Sequence, residues 1–286
     1  MGPRQVTGHR SFGTQVACGA VRQARVDGPV TVGDVVSVME SAYPPGLAES
    51  WDAVGLTCGD PQAAVTRVLL AVDPTAAIVD EARALGAELI VTHHPLLLRP
   101  VHAVAAVQAK GRVIHALIRS GLALFTAHTN ADHADPGVSD ALAAALGLRV
   151  VAPLTPQGAG RMTELDHPES LAAFADRVSR CLPRTAHGVR VAGDLDRPVR
   201  RIAVCGGAGD FLLGEAVASA DAFVTADLRH HRAGEHLEDG GCALVDVSHW
   251  ASEWPWLEQA AGVIRSVGVE AVVSATVTDP WSDRRG

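Results

Sequence analysis

Imidazole and carboxylate side chains recur in this sequence just past apolar runs, and together they make a donor set for divalent metal ions. Thr92-His93-His94-Pro95 follows the run Ala87–Val91. His128-Thr129-Asn130-Ala131-Asp132 follows Leu122–Ala127, and His249-Trp250-Ala251-Ser252-Glu253 follows Cys242–Val247. Adjacent histidines at the end of a strand point in different directions, so they serve two neighbouring ions better than one. A mixed nitrogen and oxygen set suits zinc, iron, manganese, cobalt or nickel rather than an all-oxygen calcium cage. Four or five such ligands exceed the needs of one open catalytic ion. They are enough for two ions about 3.5–4 Å apart with a carboxylate between them. Glu253 is the best candidate for that bridge. Trp254 and Pro255 suggest a helix starting beside it, and a carboxylate at a helix N-terminus is held firmly.

Other groups are candidates for supporting roles. Asp227, His230 and His231 in Thr225-Ala226-Asp227-Leu228-Arg229-His230-His231 are placed to stand behind ligands or to carry protons, which makes Glu253, Asp227 and His231 the catalytic candidates. His133 is expected to face solvent. His102, His115, His167, His187 and His236 lie in helix or loop contexts without a nearby acid and are read as structural. Gly206-Gly207-Ala208-Gly209 is either a tight turn between strand and helix or a phosphate cradle of backbone N–H groups. It has neither the Lys-Ser/Thr of a P-loop nor the spacing of a dinucleotide fingerprint.

What must position these groups is an alternation of strands and helices. Thr31 caps a helix from Val32 to about Ala42. Strand Arg67–Val72, helix Ala76–Leu85, strand Ala87–Val91, helix Ala103–Ser120, strand Leu122–Ala127 and helix Val138–Leu146 follow. That rhythm means a mainly parallel sheet with right-handed crossovers, and in such sheets ligands gather beyond the carboxyl ends of the strands. The middle is less regular: a glycine turn at Gly158-Ala159-Gly160, a helix from Pro168 to Cys181, and strands at Gly188–Gly193 and Val199–Cys205. The last third then repeats the first. Arg201–Val204 resembles Val68–Ala71, and each is followed at the same offset by a threonine, Thr225 and Thr92. Leu244–His249 likewise parallels Ala123–His128, each with an acid four residues beyond its histidine, Glu253 and Asp132. The expectation is an α/β fold of two similar lobes: a tail over residues 1–29, a first lobe over 30–150, and a linker with the second lobe over 151–286.

The bulk numbers narrow the class. A length of 286 residues with 48% hydrophobic and 20% charged residues supports a sizeable core. A formal charge of −8 argues against a nucleic-acid surface. The scattered, odd-numbered cysteines contain no CxxC pair, so no thiolate zinc site is indicated. Neither a membrane-length apolar run nor a secretory leader is visible, which makes the cytoplasm the expected location.

Trp51-Asp52-Ala53-Val54-Gly55-Leu56, Thr92–Pro95, His128–Asp132, Val204-Cys205-Gly206-Gly207, Thr225–Asp227 and Ser248–Glu253 resemble, in order, the signatures of the GTP cyclohydrolase 1 type 2 homologue family, also called the Nif-three-like dinuclear-metal family. The resemblance spans roughly Thr31 to Thr278. It implies a toroidal homohexamer with a two-metal site held by His93, His94, Asp132, His249 and Glu253, Glu253 touching both ions. His128 is not a usual ligand in that pattern. Ala53 stands where the family often has Asn, and Ala226 where glycine is usual. The stretch Val150–Arg200 is too short for the domain inserted in longer relatives, so the compact form is expected. The implied activity is metal-dependent hydrolysis of a nucleotide or another phosphorylated or cyclic-amidine small molecule. The alternative is a non-catalytic ring that binds or delivers metal.

Overall fold

The structure, a computed structural model, describes residues 28–285, so the tail expected over 1–29 lies outside the described residues but for its last two positions. Thr31 caps α1 (Val32–Ala42) in a reciprocal box with Asp34, and the helix buries Val32, Val35 and Met39. Next come β1 (Gly55–Cys58), β2 (Arg67–Ala71) and α2 (Ala76–Leu85). Thr75 caps α2, which leaves Asp73 free for another task, and Gly86 closes the helix in the left-handed region at φ 65°. β3 (Leu89–Thr92), α3 (Ala109–Ser120), β4 (Ala123–Thr126), α4 (Thr129–His133) and α5 (Val138–Ala145) follow. The helix expected from Ala103 begins only at Ala109. Val104 and Ala105 fold back across it, and their carbonyls lie where a side chain at Gly111 would stand.

The second half contains β5 (Arg149–Pro153), β6 (Arg161–Ser170), α6 (Leu171–Cys181), β7 (Arg190–Ala192) and β8 (Pro198–Ala208). It continues through α7 (Leu213–Ser219), β9 (Ala222–Ala226), α8 (His230–Glu238), β10 (Ala243–Val247), α9 (His249–Glu253), α10 (Trp256–Arg265) and β11 (Glu270–Val273). The helix expected from Pro168 starts at Leu171. Glu169 and Ser170 are still paired with β8, and the Ser170 hydroxyl caps the helix.

A five-stranded sheet runs β1-β4-β3-β2-β11 and a six-stranded sheet β5-β6-β8-β9-β10-β7. In each, the strands matched by the sequence repeat, β2-β3-β4 and β8-β9-β10, form a parallel core, and the lobe's earlier short strand (β1 or β7) closes one edge antiparallel. The lobes are therefore similar, as their sequences suggested. Both sheets are mixed, and in the second antiparallel pairs outnumber parallel ones, against the mainly parallel expectation, because β5 and β6 meet across the Gly158–Gly160 turn and a hairpin can only be antiparallel. β11 leaves the second half and pairs in parallel with β2, so the two sheets do not divide the chain cleanly at residue 150. One apolar cluster runs through both lobes and includes Val35, Phe125, Phe174, Val245 and Trp256. Thr92 stands level with Ala71 and Thr126, and Val247 with Ala226, so the carboxyl ends that carry the candidate ligands are aligned.

Candidate metal centre

The cluster forms where those two sets of strand ends face each other. His93 and His94 leave β3, and their backbone N–H groups continue the ladder onto Ala71 and Val72. His93 is fully buried. Its Nδ1–H donates to the Ala127 carbonyl at 2.9 Å, which turns Nε2 toward Glu253 Oε1 at 3.4 Å and Asp132 Oδ1 at 3.6 Å. The neighbouring ring, with its centroid 5.1 Å away, gives Nδ1 to Asp73 at 2.7 Å and directs Nε2 at Glu253 Oε2, 3.1 Å away. The adjacent imidazoles thus address different oxygens of one carboxylate.

His249 and Glu253 sit one turn apart on α9, which Ser248 caps. The expected placement of Glu253 at a helix start is corrected: it is the last residue of α9, and α10 begins only at Trp256. The i,i+4 spacing is what brings His249 Nε2 to 3.0 Å from Glu253 Oε1. Asp227 accepts from His249 Nδ1 at 2.7 Å, and it does so from a left-handed backbone, φ 56°, at the end of β9. Non-glycine residues in that region cluster at functional sites.

His128 joins the cluster. Its Nδ1 is held by Asp52 at 2.8 Å, its ring lies 5.2 Å from that of His93, and it forms a possible ligand group with His93 and His94. A second group comprises His94, His249 and Glu253. Each of these histidines therefore has Nδ1 fixed by a carbonyl or carboxylate and Nε2 left for the interior, the arrangement that orients metal-ligating imidazoles. His93 Nε2 and Glu253 Oε2 are buried without a well-directed hydrogen bond, although His94 Nε2 lies 3.1 Å from the carboxylate oxygen. Such groups are costly unless something fills the gap, and a divalent cation matches the donors present.

The electrostatics agree. Burial pushes the Glu253 carboxyl up, but His249, His94 and His93 outweigh it and hold the group well below the carboxylate range. Glu253, against burial, draws His249 up to about 11. For His94 burial opposes protonation, and Glu253 with Asp73 overcomes it to about 10. Asp132 is raised, by burial first and then by Glu253, against the pull of His93. The cluster thus favours positive charge, which suits the possible ligand groups it contains.

Two cavities flank the cluster, and a third, of about 440 Å³, reaches it at Asp73 and His94 and is lined also by Lys110 and Arg112. One, of about 520 Å³, is lined by Trp51, Phe211, His128, Asp132, His249 and Glu253 among others. The other, of about 430 Å³, lies against His94, His128, Asp227 and His249 under the C-terminal segment, Thr278 to Trp281. Among the described residues, no lysine or arginine lines the first two. Gly207 forms part of the first wall. Its backbone sits at φ 68°, and a Cβ there would lie 2.4 Å from Glu253 Oε1, so the glycine segment is a close approach of β8 to the ligand rather than a turn leading straight into a helix.

The structure brings together His93, His94, Asp132, His249 and Glu253, with Asp227 behind His249. His231 stands exposed at the start of α8, ring against ring with His230, and lines neither cavity. His133 differs from expectation: its Nδ1 is held by the Leu47 carbonyl at 3.0 Å, and it lines the larger cavity. His187 also has an acidic partner, Asp246 at 2.9 Å, distant in sequence. The residues missed were Asp52 and Asp73. An aspartate immediately past β2, at the same level as the ligands past β3, was the available signal for Asp73.

A two-lobed α/β protein with a histidine–carboxylate centre between facing strand ends is the class that these features define. The chain belongs to the Duf34/NIF3 (NGG1p interacting factor 3) family, which it matches over residues 30–280. It is 50% identical over 264 residues to a Streptomyces coelicolor protein named GTP cyclohydrolase 1 type 2 homolog, a match covering 87% of this chain and 93% of that one. A Mycobacterium tuberculosis protein of the same name is 38% identical over 369 aligned positions, covering 88% of this chain and 97% of the relative. That span exceeds the 286 residues here, so the relative carries residues that this compact chain lacks. The crystal structure of a Staphylococcus aureus hypothetical protein superposes with TM-score 0.82 at 29% identity, covering 89% of this chain and 99% of that one. A Bacillus cereus protein related to NIF3 gives 0.80 at 26%, with the same shares covered.

Proposed function

We propose that this chain is a metal-dependent hydrolase that holds two divalent ions, zinc, iron or manganese, on His93, His94, Asp132, His249 and Glu253, with His128 as a further ligand. Its substrate is a nucleotide or another phosphorylated small molecule, as the relatives' name suggests, and it works as a cytoplasmic homohexamer. The observation that carries the reading is the buried His93 Nε2, which has no hydrogen bond and faces the Glu253 carboxylate inside a ring of imidazoles each locked from behind. Two such ions supply Lewis acidity, lowering the pKa of water toward about 7 and stabilising negative charge on a reacting oxygen. The chain's own groups do the rest. Asp52, Asp73 and Asp227 fix ring orientation, and Glu253 faces His94 through one oxygen and His93 and His249 through the other. Trp51 and Phe211, both largely exposed, give the larger cavity flat apolar walls suited to a planar ring. Asp227 in this reading positions His249, and His231 is left outside the reacting set.

The test joins elemental analysis to a hydrolysis panel of nucleotides and phosphoesters with added manganese or zinc. Near two ions per chain and metal-dependent turnover are expected, with Trp51→Ala raising KM several-fold at nearly unchanged kcat. Full metal content without turnover on any substrate would favour the metal-binding or delivery alternative. A chain that takes up no ion would overturn the whole reading.

A further inference from the structure

The last described segment lies across the smaller cavity without forming a strand or helix. Past β11, the Ser274 hydroxyl donates to Glu81 of α2 at 2.7 Å, and Thr276 donates to the same carboxylate oxygen at 2.8 Å. The Trp254 indole N–H, one residue past Glu253, donates to the Ser274 carbonyl at 3.0 Å. Two consecutive residues then reach two different sides of the cluster. The Thr278 hydroxyl donates to Asp73 Oδ2, while Asp73 Oδ1 holds His94 Nδ1 at 2.7 Å. Asp279 Oδ2 accepts from the Ser248 hydroxyl, which in turn caps α9, the helix that carries His249 and Glu253. Asp279 Oδ1 also accepts from the Trp281 N–H at 2.9 Å, closing the turn around Pro280. His94 belongs to one lobe and His249 to the other, and their Nε2 atoms are only 3.2 Å apart.

We infer that Ser274–Trp281 is a strap that sets the spacing of the two ligand sets: Thr278 positions His94 through Asp73, and Asp279 positions His249 and Glu253 through the Ser248 cap. The inference rests on the cluster being a metal centre. Its physical basis is that a hydrogen bond to the second oxygen of Asp73 fixes the plane of that carboxylate, and with it the direction in which His94 presents Nε2. Without Thr278, Asp73 is free to rotate about its side-chain bonds, and His94 follows. Loss of Asp279 frees the Ser248 hydroxyl, so the first turn of α9 is less well anchored against the opposite lobe. Ser274 and Thr276 attach the strap to α2 and touch neither Asp73 nor Ser248, which makes Thr276 an internal control.

The experiment measures manganese and zinc affinity of the full chain by competition with a chromophoric chelator, for Thr278→Ala, Thr278→Ser, Asp279→Ala and Thr276→Ala. Partners that orient metal ligands typically contribute ~10–100-fold in affinity. Thr278→Ala and Asp279→Ala should each weaken binding on that scale. Thr278→Ser, which keeps the hydroxyl, should restore it, and Thr276→Ala should stay within about threefold of the unsubstituted chain. Melting of the metal-free proteins shows whether each variant is folded; an unfolded Asp279→Ala leaves the Thr278 pair to decide. Unchanged affinity in Thr278→Ala would overturn the strap, as would an equal loss in Thr276→Ala, which would reduce it to general docking of the tail. Absence of any ion uptake by the unsubstituted chain would instead overturn the metal-centre reading on which the strap rests.

Discussion

Glu253 meets His93, His94 and His249 at once, from a position that is almost wholly buried. Glu253→Gln keeps the shape and removes the charge, so it should abolish most metal uptake while the chain stays folded; elemental analysis beside a melting curve checks both. The pH dependence follows from the two histidines. Without metal, His249 and His94 are drawn up to about 11 and about 10, so protons compete with an ion for the cluster at neutral pH. Apparent affinity should therefore rise between about pH 6 and about pH 9, with proton release visible to an indicator dye in weakly buffered solution. A flat affinity profile would contradict this. The sign for stability is the reverse. Both histidines are raised above the ordinary value of 6.5, so their contribution to the metal-free fold is fully present below that pH and is lost as pH rises through about 10 and 11. Behind His249, Asp227→Asn keeps an acceptor oxygen and tolerates the left-handed backbone, so it should retain the ions. Asp227→Ala should lose ~10–100-fold in affinity.

At the scale of elements, β8 is the tightest constraint on the centre. Gly206 and Gly207 interrupt its pairing with β9, which resumes at Ala208, and this irregularity presses the backbone onto α9. The Gly207 N–H donates to the Ser252 hydroxyl at 2.8 Å, and the Gly207 carbonyl accepts from Thr225 at 3.0 Å. Gly207→Ala should cost about 1–3 kcal/mol from the left-handed backbone alone, and its methyl group should displace Glu253. Chemical denaturation and metal analysis of the same sample would show both losses; wild-type metal content would disprove the contact. The same elements show what the sequence discloses. The cap of α1 and the apolar runs of β2, β3 and β4 are local signals, and they are where the residues placed them. The ligands were legible because each adjoins such a run. Not legible were the partners that depend on tertiary approach: Asp52 beside His128 and Asp73 beside His94 are separated in sequence by 76 and 21 residues. Short α9 was misread because Pro255 signals a helix start equally well whether the helix is new or follows another directly.

At the scale of the molecule, neither lobe holds the cluster alone. His93, His94, His128 and Asp132 follow strands of one sheet, whereas His249 and Glu253 follow β10 of the other. The surface retains large apolar side chains at Val107, Ile118 and Trp281. For the homohexamer proposed above, light scattering should give a mass near six times 29.7 kDa across micromolar dilutions, and a monomer mass would reject that assembly. Coupling between the lobes gives a second expectation. An ion that contacts both ligand sets binds the folded chain and has no equivalent site in the unfolded one, so it stabilises by mass action, about 2.7 kcal/mol at a hundredfold excess over Kd. Manganese or zinc should therefore raise the melting temperature progressively with concentration, and the rise should vanish in Glu253→Gln and in His93→Ala alike. Because those residues come from opposite lobes, equal loss in both variants would mark one shared centre. A rise that survived either substitution would mean that the stabilising ion sits elsewhere, with the two lobes held together by their common apolar core alone.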